Sequence, residues 1–408
     1  MKRRAVIVAA VVWMLVIVAI ASSGLTLILT GAANGQAVRL VSESEYEIID
    51  RYRRLEEVRQ TLVNDYYIPL DEEDLVTGAI RGMMDSIGDP YTFYYTPEEM
   101  EKANEESSGV YHGVGMAVQL TDDGDIEVIR VYEGSPAEAA GLLSQDRIVQ
   151  VDGVPVSGEN GQTLNEAVQR IQGEDGTTVR LTVLRDGETL ELDIVRSEVS
   201  ISYVDYEIIN GNIGYVNIAQ FTGNDVTGFQ EAVEAFKSAG VSGIVVDLRN
   251  NPGGLLTDVV QIADMVLPEG LVTYVEDRHG NRQEETSDAE YWDIPMVVLV
   301  NGMSASASEL FTAAIQDYDR GTVVGTTTFG KGIVQTLITF SDDGAGMQLT
   351  TASYYSPNGR SIHQTGVEPD VTVELNEDYD PSIPWPNLEN DNQLATALEE
   401  LQKRIDAQ

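Results

Sequence analysis

The feature that most constrains this chain is a strand with no polar side: Met296-Val297-Val298-Leu299-Val300 is an uninterrupted apolar run. Successive side chains of a strand point to opposite faces, so such a run must be covered on both, as in a short parallel strand inside an α/β layer. Asn301-Gly302 breaks the run, and the chain restarts at Ser306, after which Leu310, Phe311, Ala314 and Ile315 fall on one helical face. A serine at such a strand-to-helix turn has its hydroxyl exposed beside helix N-terminal amides that lack intrahelical acceptors. The residues Ser306-Ala307-Ser308-Glu309 also fit a capping box, with Glu309 at N3 returning to the N-cap amide. The next loop distinguishes the two uses. Phe329-Gly330-Lys331-Gly332 sets a lysine between glycines, and a backbone that closely approaches another element needs such a setting where a solvated surface lysine does not.

These residues carry a resemblance to the carboxyl-terminal processing proteases, serine peptidases of the S41 type with a Ser-Lys dyad and a PDZ domain, and it extends over most of the chain. The serine segment is matched by Ala305-Ser306-Ala307-Ser308-Glu309, the lysine by Phe329-Gly330-Lys331-Gly332, and a glutamine four residues later by Gln335. The separation, 331 minus 306, is 25 residues, as in the family. The resemblance implies Ser306 as nucleophile, Lys331 as general base, and Gln335 as the residue that holds the lysine by a hydrogen bond.

The formal charge is 25 minus 67, or −42, and such a surface repels nucleic-acid phosphates and anionic lipid headgroups. There is no cysteine, which excludes disulfides, thiolate metal sites and a cysteine nucleophile. No metal or organic cofactor is implied. Lys2-Arg3-Arg4 precedes an uncharged run over residues 5–30. As a helix that run is about 39 Å long, enough for a ~30 Å hydrocarbon core, and the basic flank stays cytoplasmic. Residues 1–37 are therefore expected to be a single-pass anchor, or a signal segment cleaved near Gly31-Ala32-Ala33, with everything after them outside the cytoplasm.

Residues 38–105 read as helices, with Tyr46, Ile49, Tyr52, Leu55, Val58 and Leu62 at helical spacing as a packing face, ending in the turn Gly88-Asp89-Pro90-Tyr91-Thr92. Residues 106–197 change to short alternating strands with turns at Asp152-Gly153 and Asp186-Gly187. They resemble a PDZ domain through Gly113-Val114-Gly115-Met116, Gly134-Ser135-Pro136-Ala137, Ala140-Gly141-Leu142 and the run Asp146 to Gly153. Glycine lets the amides of Gly113, Val114, Gly115 and Met116 converge into a nest for a peptide's terminal carboxylate, with Leu164 and Val168 lining the side-chain pocket.

Residues 198–375 read as a mixed α/β core, which the resemblance makes a crotonase-like protease domain. Within it the buried strand 243–248 runs into Asn250-Asn251-Pro252-Gly253-Gly254 before a helical stretch, presenting amides at a helix start as an oxyanion site requires. The resemblance assigns Gly253 and Ala307 to the oxyanion hole and makes Asp317 structural support. Residues 376–408 read as an acidic connector and a final amphipathic helix.

The expected protein is thus a multi-domain α/β chain, an exported and membrane-anchored serine endopeptidase that engages proteins or peptides with accessible apolar C-termini and cleaves them through an acyl-enzyme. It takes no nucleic acid, and an oligomer is left open. The competing reading is a non-catalytic PDZ adaptor at the membrane. A Ser-His-Asp site would have to use His112, His279 or His363, none of which falls in a catalytic setting. An acyl-CoA enzyme with a similar core leaves the PDZ module unexplained.

Overall fold

Ser42 and Glu45 close a capping box at the start of α1 (Glu43–Asp65): the Ser42 amide donates to Glu45 Oε2 (2.6 Å) and the Glu45 amide to Ser42 Oγ (3.3 Å). The structure, a computed structural model, describes residues 42–108, 110–121, 123–132, 134–156, 162–200, 202–222, 224–377, 379 and 386–407. The expected anchor at 1–37 and most of the acidic connector lie outside the described residues, among which no helix is long and apolar enough to cross a membrane. In α1 the expected stripe of Tyr46, Ile49, Tyr52, Leu55, Val58 and Leu62 is exposed along its length, so no described element packs on it. Helix α2 (Glu72–Asp85) follows. Of the described residues, those up to Ile80 belong to one unit and those from Arg81 onward to a second.

The second unit opens with a turn in which the Asp89 carboxylate accepts from the Tyr91 amide (3.0 Å) and the Thr92 hydroxyl (2.7 Å). It leads into β1 (Phe93–Tyr95) and α3 (Pro97–Ser108). Strand β1 corrects the expectation of an all-helical segment over 38–105. Three successive aromatic residues favour extended backbone once a partner strand is available, and that partner lies about 250 residues further on.

The PDZ segment contains β2 (Val110–Gly113), β3 (Met116–Leu120), β4 (Ile126–Val131), α4 (Pro136–Ala139), β5 (Arg147–Val151), β6 (Val154–Pro155), α5 (Gln162–Ile171), β7 (Thr178–Arg185), β8 (Glu188–Val195) and β9 (Ser197–Ser200). Its sheet runs β3-β4-β5-β7-β8 with β6 on β5, while β2 and β9 pair separately. The hairpin turns Asp152-Gly153 and Asp186-Gly187 have positive φ at both positions, as two-residue turns matched to strand twist require. Ile126, Val128, Ile148, Val151, Val179, Leu181 and Val183 fill one core.

The core domain contains β10 (Val204–Ile209), β11 (Ile213–Ile218), α6 (Asp225–Ala239), β12 (Gly243–Asp247), α7 (Leu256–Asp264), β13 (Gly270–Asp277), β14 (Arg282–Ser287), β15 (Met296–Val300), α8 (Ala307–Asp317), β16 (Thr322–Gly325), β17 (Ile333–Thr339), β18 (Gly346–Tyr355), β19 (Val371–Thr372) and α9 (Asn392–Asp406). The main sheet is ordered β10-β11-β12-β15-β16-β19, antiparallel at β10/β11 and parallel thereafter. The all-apolar strand is used as its sequence demands. Met296, Val298 and Val300 join the core under α6, α7 and α8, whereas Val297 and Leu299 join a second core with Leu394, Ala397 and Leu401 of α9. A second sheet, β1-β18-β13-β14 with β17 on β18, carries the contribution from β1.

Arg249, just after β12, fastens α9 to the sheet: its guanidinium bonds Asp247 (2.6 Å) and the helix N-cap Asp391 (2.8 Å), both carboxylates being buried. Arg249→Ala leaves two buried anions without a counter-charge, so urea unfolding should show a loss of about 3–5 kcal/mol.

Candidate active site

Ser306 stands at the N-cap of α8, directly after the turn that leaves β15, with φ 55° and ψ −113°. A non-glycine residue in this region costs of order 1–3 kcal/mol and persists only where the surroundings over-determine it. The surroundings here are serines and a glutamate. Ser304 Oγ donates to the Leu248 carbonyl (2.8 Å) and accepts from the Asn301 amide (2.9 Å), and Ser308 Oγ donates to the Asn251 carbonyl (3.0 Å). Both neighbours are buried and committed to loop carbonyls, whereas Ser306 is half-exposed. Its hydroxyl faces the phenol of Tyr354 on β18. Burial pushes that phenol's pKa far up, and its own hydroxyl donates to the Lys331 carbonyl.

The capping-box expectation holds, and its glutamate arm does more than cap. Glu309 is fully buried, and its Oε2 accepts from the Ser306 amide (2.8 Å) and the Lys331 amide (2.8 Å). Its Oε1 accepts from the Gly330 amide (2.7 Å) and the Thr328 hydroxyl (2.6 Å). One carboxylate thus ties the serine turn to the lysine loop. The glycines of that loop are needed for close approach, as expected: a Cβ on Gly330 would lie 3.1 Å from the Gly366 amide, and one on Gly332 would meet the His363 backbone.

Lys331 is half-buried, and desolvation holds its pKa below the ordinary lysine value against the opposing attraction of Asp89 and Glu309. Its Nζ lies 4.4 Å from the centroid of the Tyr91 ring. The expected bond from Gln335 is not made: its amide donates to Ile333 O (3.5 Å) and Thr350 Oγ1 (3.3 Å). A bulge between Val334 and Gln335 shifts the register of β17 on β18 and re-aims that side chain.

Gly253 has φ 105°, and a Cβ there would lie 2.7 Å from Ser306 Cβ and 3.0 Å from the Ala307 amide. Its place beside the serine turn is therefore open only to glycine. Its own N–H donates to Asn251 Oδ1 (2.8 Å), so of the two amides expected at an oxyanion site only that of Ala307 is uncommitted. Asp317 bonds Arg360 (2.7 Å) and the Asn358 amide (2.8 Å), holding the turn after β18.

In the PDZ domain β3 is the edge of its sheet, and Gly115 has φ 84° with Ser135 packed against its α-carbon. The expected nest carries an internal occupant. The ring of Tyr111 lies against Gly113, where a Cβ would stand 2.6 Å from it, and its phenol, pushed up to about 12 by burial, faces the Gly115 and Met116 amides. The Val114 side chain is buried, Leu164 packs on the domain core, and Val168 is half-buried on the same helix. Sequence reasoning missed Tyr111, Tyr354 and the bridging role of Glu309, since a lone tyrosine carries no motif and the capping box accounted for the glutamate.

A parallel α/β sheet with a strained serine at a strand-to-helix turn, coupled to a PDZ domain, defines a serine hydrolase that acts on polypeptides. Residues 212–373 match the model of peptidase family S41, residues 127–185 that of the PDZ domain, and residues 20–99 that of the N-terminal domain of the activating protease CtpB. The chain belongs to the carboxy-terminal processing proteases, serine peptidases of family S41. It is 34% identical to the carboxy-terminal processing protease CtpA of Bacillus subtilis (strain 168), over 89% of this chain and 77% of that one. It is 35% identical to the carboxy-terminal-processing protease of Bartonella bacilliformis, over 83% and 78%. The fold is shared with a solved S41 protease structure from Bacteroides fragilis at 18% identity, with a TM-score of 0.51, over 79% of this chain and 90% of that one.

Glu309→Gln is isosteric, yet it turns two acceptor positions into donors that face N–H or O–H groups. It should cost about 2–4 kcal/mol in urea unfolding and remove most proteolytic activity, as read by turnover of a casein substrate.

Proposed function

We propose that Ser306 is the nucleophile and Lys331 the general base of this peptidase, and that the PDZ domain presents protein C-termini to them. The observation that carries the assignment is that Ser306 alone of the three serines in its turn is half-exposed, Ser304 and Ser308 being buried on the carbonyls of Leu248 and Asn251, and that it stands on a strained backbone that Glu309 joins to the lysine loop. Neutral Lys331 takes the Ser306 proton as Oγ attacks the scissile carbonyl. The resulting oxyanion is received by the Ala307 amide and, once Asn251 releases it, by that of Gly253. Lys331 then protonates the departing amine, and water hydrolyses the acyl-enzyme by the same route in reverse. Gln335 and Asp317 serve as supports.

The basic flank and the uncharged run over residues 5–30 support a membrane anchor with the catalytic domain outside the cytoplasm. Substrates are polypeptides with free apolar C-termini: the carboxylate takes the Gly115 and Met116 amides, the strand adds to the open edge of β3, and the last side chain lies toward Leu164 and Val168.

Ser306→Ala should lower casein hydrolysis by at least ~10³-fold, while Ser304→Ala and Ser308→Ala retain activity. Full activity of Ser306→Ala sinks the assignment. Because deprotonated lysine is the active form and its pKa is lowered, kcat/KM should rise with pH through that depressed value. Lys331→Arg should be inactive at every pH.

The Tyr111 phenol stands where the peptide carboxylate is to bind. Tyr111→Phe should therefore tighten binding of an apolar-ended peptide by about five- to tenfold in calorimetry, with no gain for its C-terminal amide.

A further inference from the structure

The turn before β1 reaches the lysine, and the reaction scheme above leaves it unused. Lys331 Nζ rests over the face of Tyr91, 4.4 Å from the ring centroid, and the Asp89 carboxylate attracts it. This seat is fastened on every side. The Tyr91 amide (3.0 Å) and Thr92 hydroxyl (2.7 Å) donate to Asp89, the Thr350 amide donates to Thr92 Oγ1 (3.1 Å), and Gln348 donates to the Tyr91 carbonyl (3.1 Å). The Thr350 hydroxyl faces Asp89 and accepts from the Gln335 amide (3.3 Å).

The groups facing Lys331 are therefore Asp89 and Tyr91 from the turn, Glu309 from α8 and Tyr354 from β18. Each oxygen of Glu309 already serves two donors, and burial keeps Tyr354 neutral. Asp89 is the anion left to answer the charge on the amine.

We propose that Asp89 and Tyr91 are positioning residues that hold the Lys331 ammonium formed during acylation. The inference rests on the Ser306 and Lys331 assignment. In the step concerned the Ser306 O–H bond breaks, a bond forms between Oγ and the scissile carbon, and the proton becomes the third N–H of Lys331. It leaves again on the amine product as the C–N bond breaks. Asp89 neither gains nor loses a proton; it and the ring face offset the desolvation that disfavours the ammonium.

The test titrates the lysine directly and does not need turnover. The chain has five lysines, at 2, 102, 237, 331 and 403, so [ε-13C]lysine labelling gives few resonances, and Lys331→Arg identifies the one concerned. Asp89→Asn keeps the acceptor oxygen of the turn but removes the charge. It should move the Lys331 midpoint, and with it the rising limb of kcat/KM, to lower pH, with kcat down about tenfold or more and KM within about twofold. Tyr91→Leu should shift the midpoint the same way, and Tyr91→Phe, which retains the ring, should not. An unchanged Lys331 midpoint in folded Asp89→Asn overturns the proposal. Should that variant fail to fold, an unchanged midpoint in Tyr91→Leu does so. Failure of the Ser306 assignment shows separately, as proteolysis surviving in Ser306→Ala while the lysine still titrates with its seat.

Discussion

The site depends on one buried anion. A carboxylate removed from water is tolerated only when its lone pairs are filled, and Glu309 fills them with three backbone amides and a hydroxyl drawn from two separate loops. Its solvation by the protein is therefore also the joint between the Ser306 turn and the Lys331 loop. Neither loop can shift without leaving a charge unpaired, which is how a strained backbone at Ser306 is held in place. The same carboxylate continues to serve the helix as the N3 residue of a cap, so one side chain starts α8 and positions the lysine loop.

Around that joint the site is assembled from segments far apart in the chain. The parallel sheet delivers the turn at 301–306 and the Gly253 loop from the ends of neighbouring strands β15 and β12, which is where an α/β sheet leaves room for chemistry. The second sheet delivers Tyr354 from β18 and, through β1, the Asp89 turn. Strand β1 precedes the PDZ domain in sequence and pairs with the core domain that follows it, so the PDZ domain is inserted within the chain of the catalytic unit. A change at the PDZ boundary can thus bear on the seat of Lys331 through continuous backbone.

Two expected ligand positions are filled by the protein itself. The nest amides of Gly115 and Met116 face the Tyr111 phenol, and the Gly253 amide is held by Asn251. Buried amides seek acceptors, and a phenol or a side-chain carbonyl is the nearest neutral substitute for a carboxylate or an oxyanion.

The sequence alone was sufficient for what depends on local pattern. The apolar run 296–300 required a strand buried on both faces, the glycines at 330 and 332 announced a close backbone approach, and the motifs around Ser306, Lys331 and Gly113 placed the chain among the S41 peptidases. The start of α8 and the two Asp-Gly hairpins were readable because caps and turns are set by residues a few positions apart. Tertiary structure decided the rest. It gave Glu309 its four donors, turned Gln335 toward Thr350 through a bulge, drew Phe93–Tyr95 into a strand across some 250 residues, and left the stripe on α1 exposed where spacing had predicted a covered face. Each of these is fixed by which partner is nearest in space, and periodicity along a chain reports which face a residue occupies, never what lies opposite it.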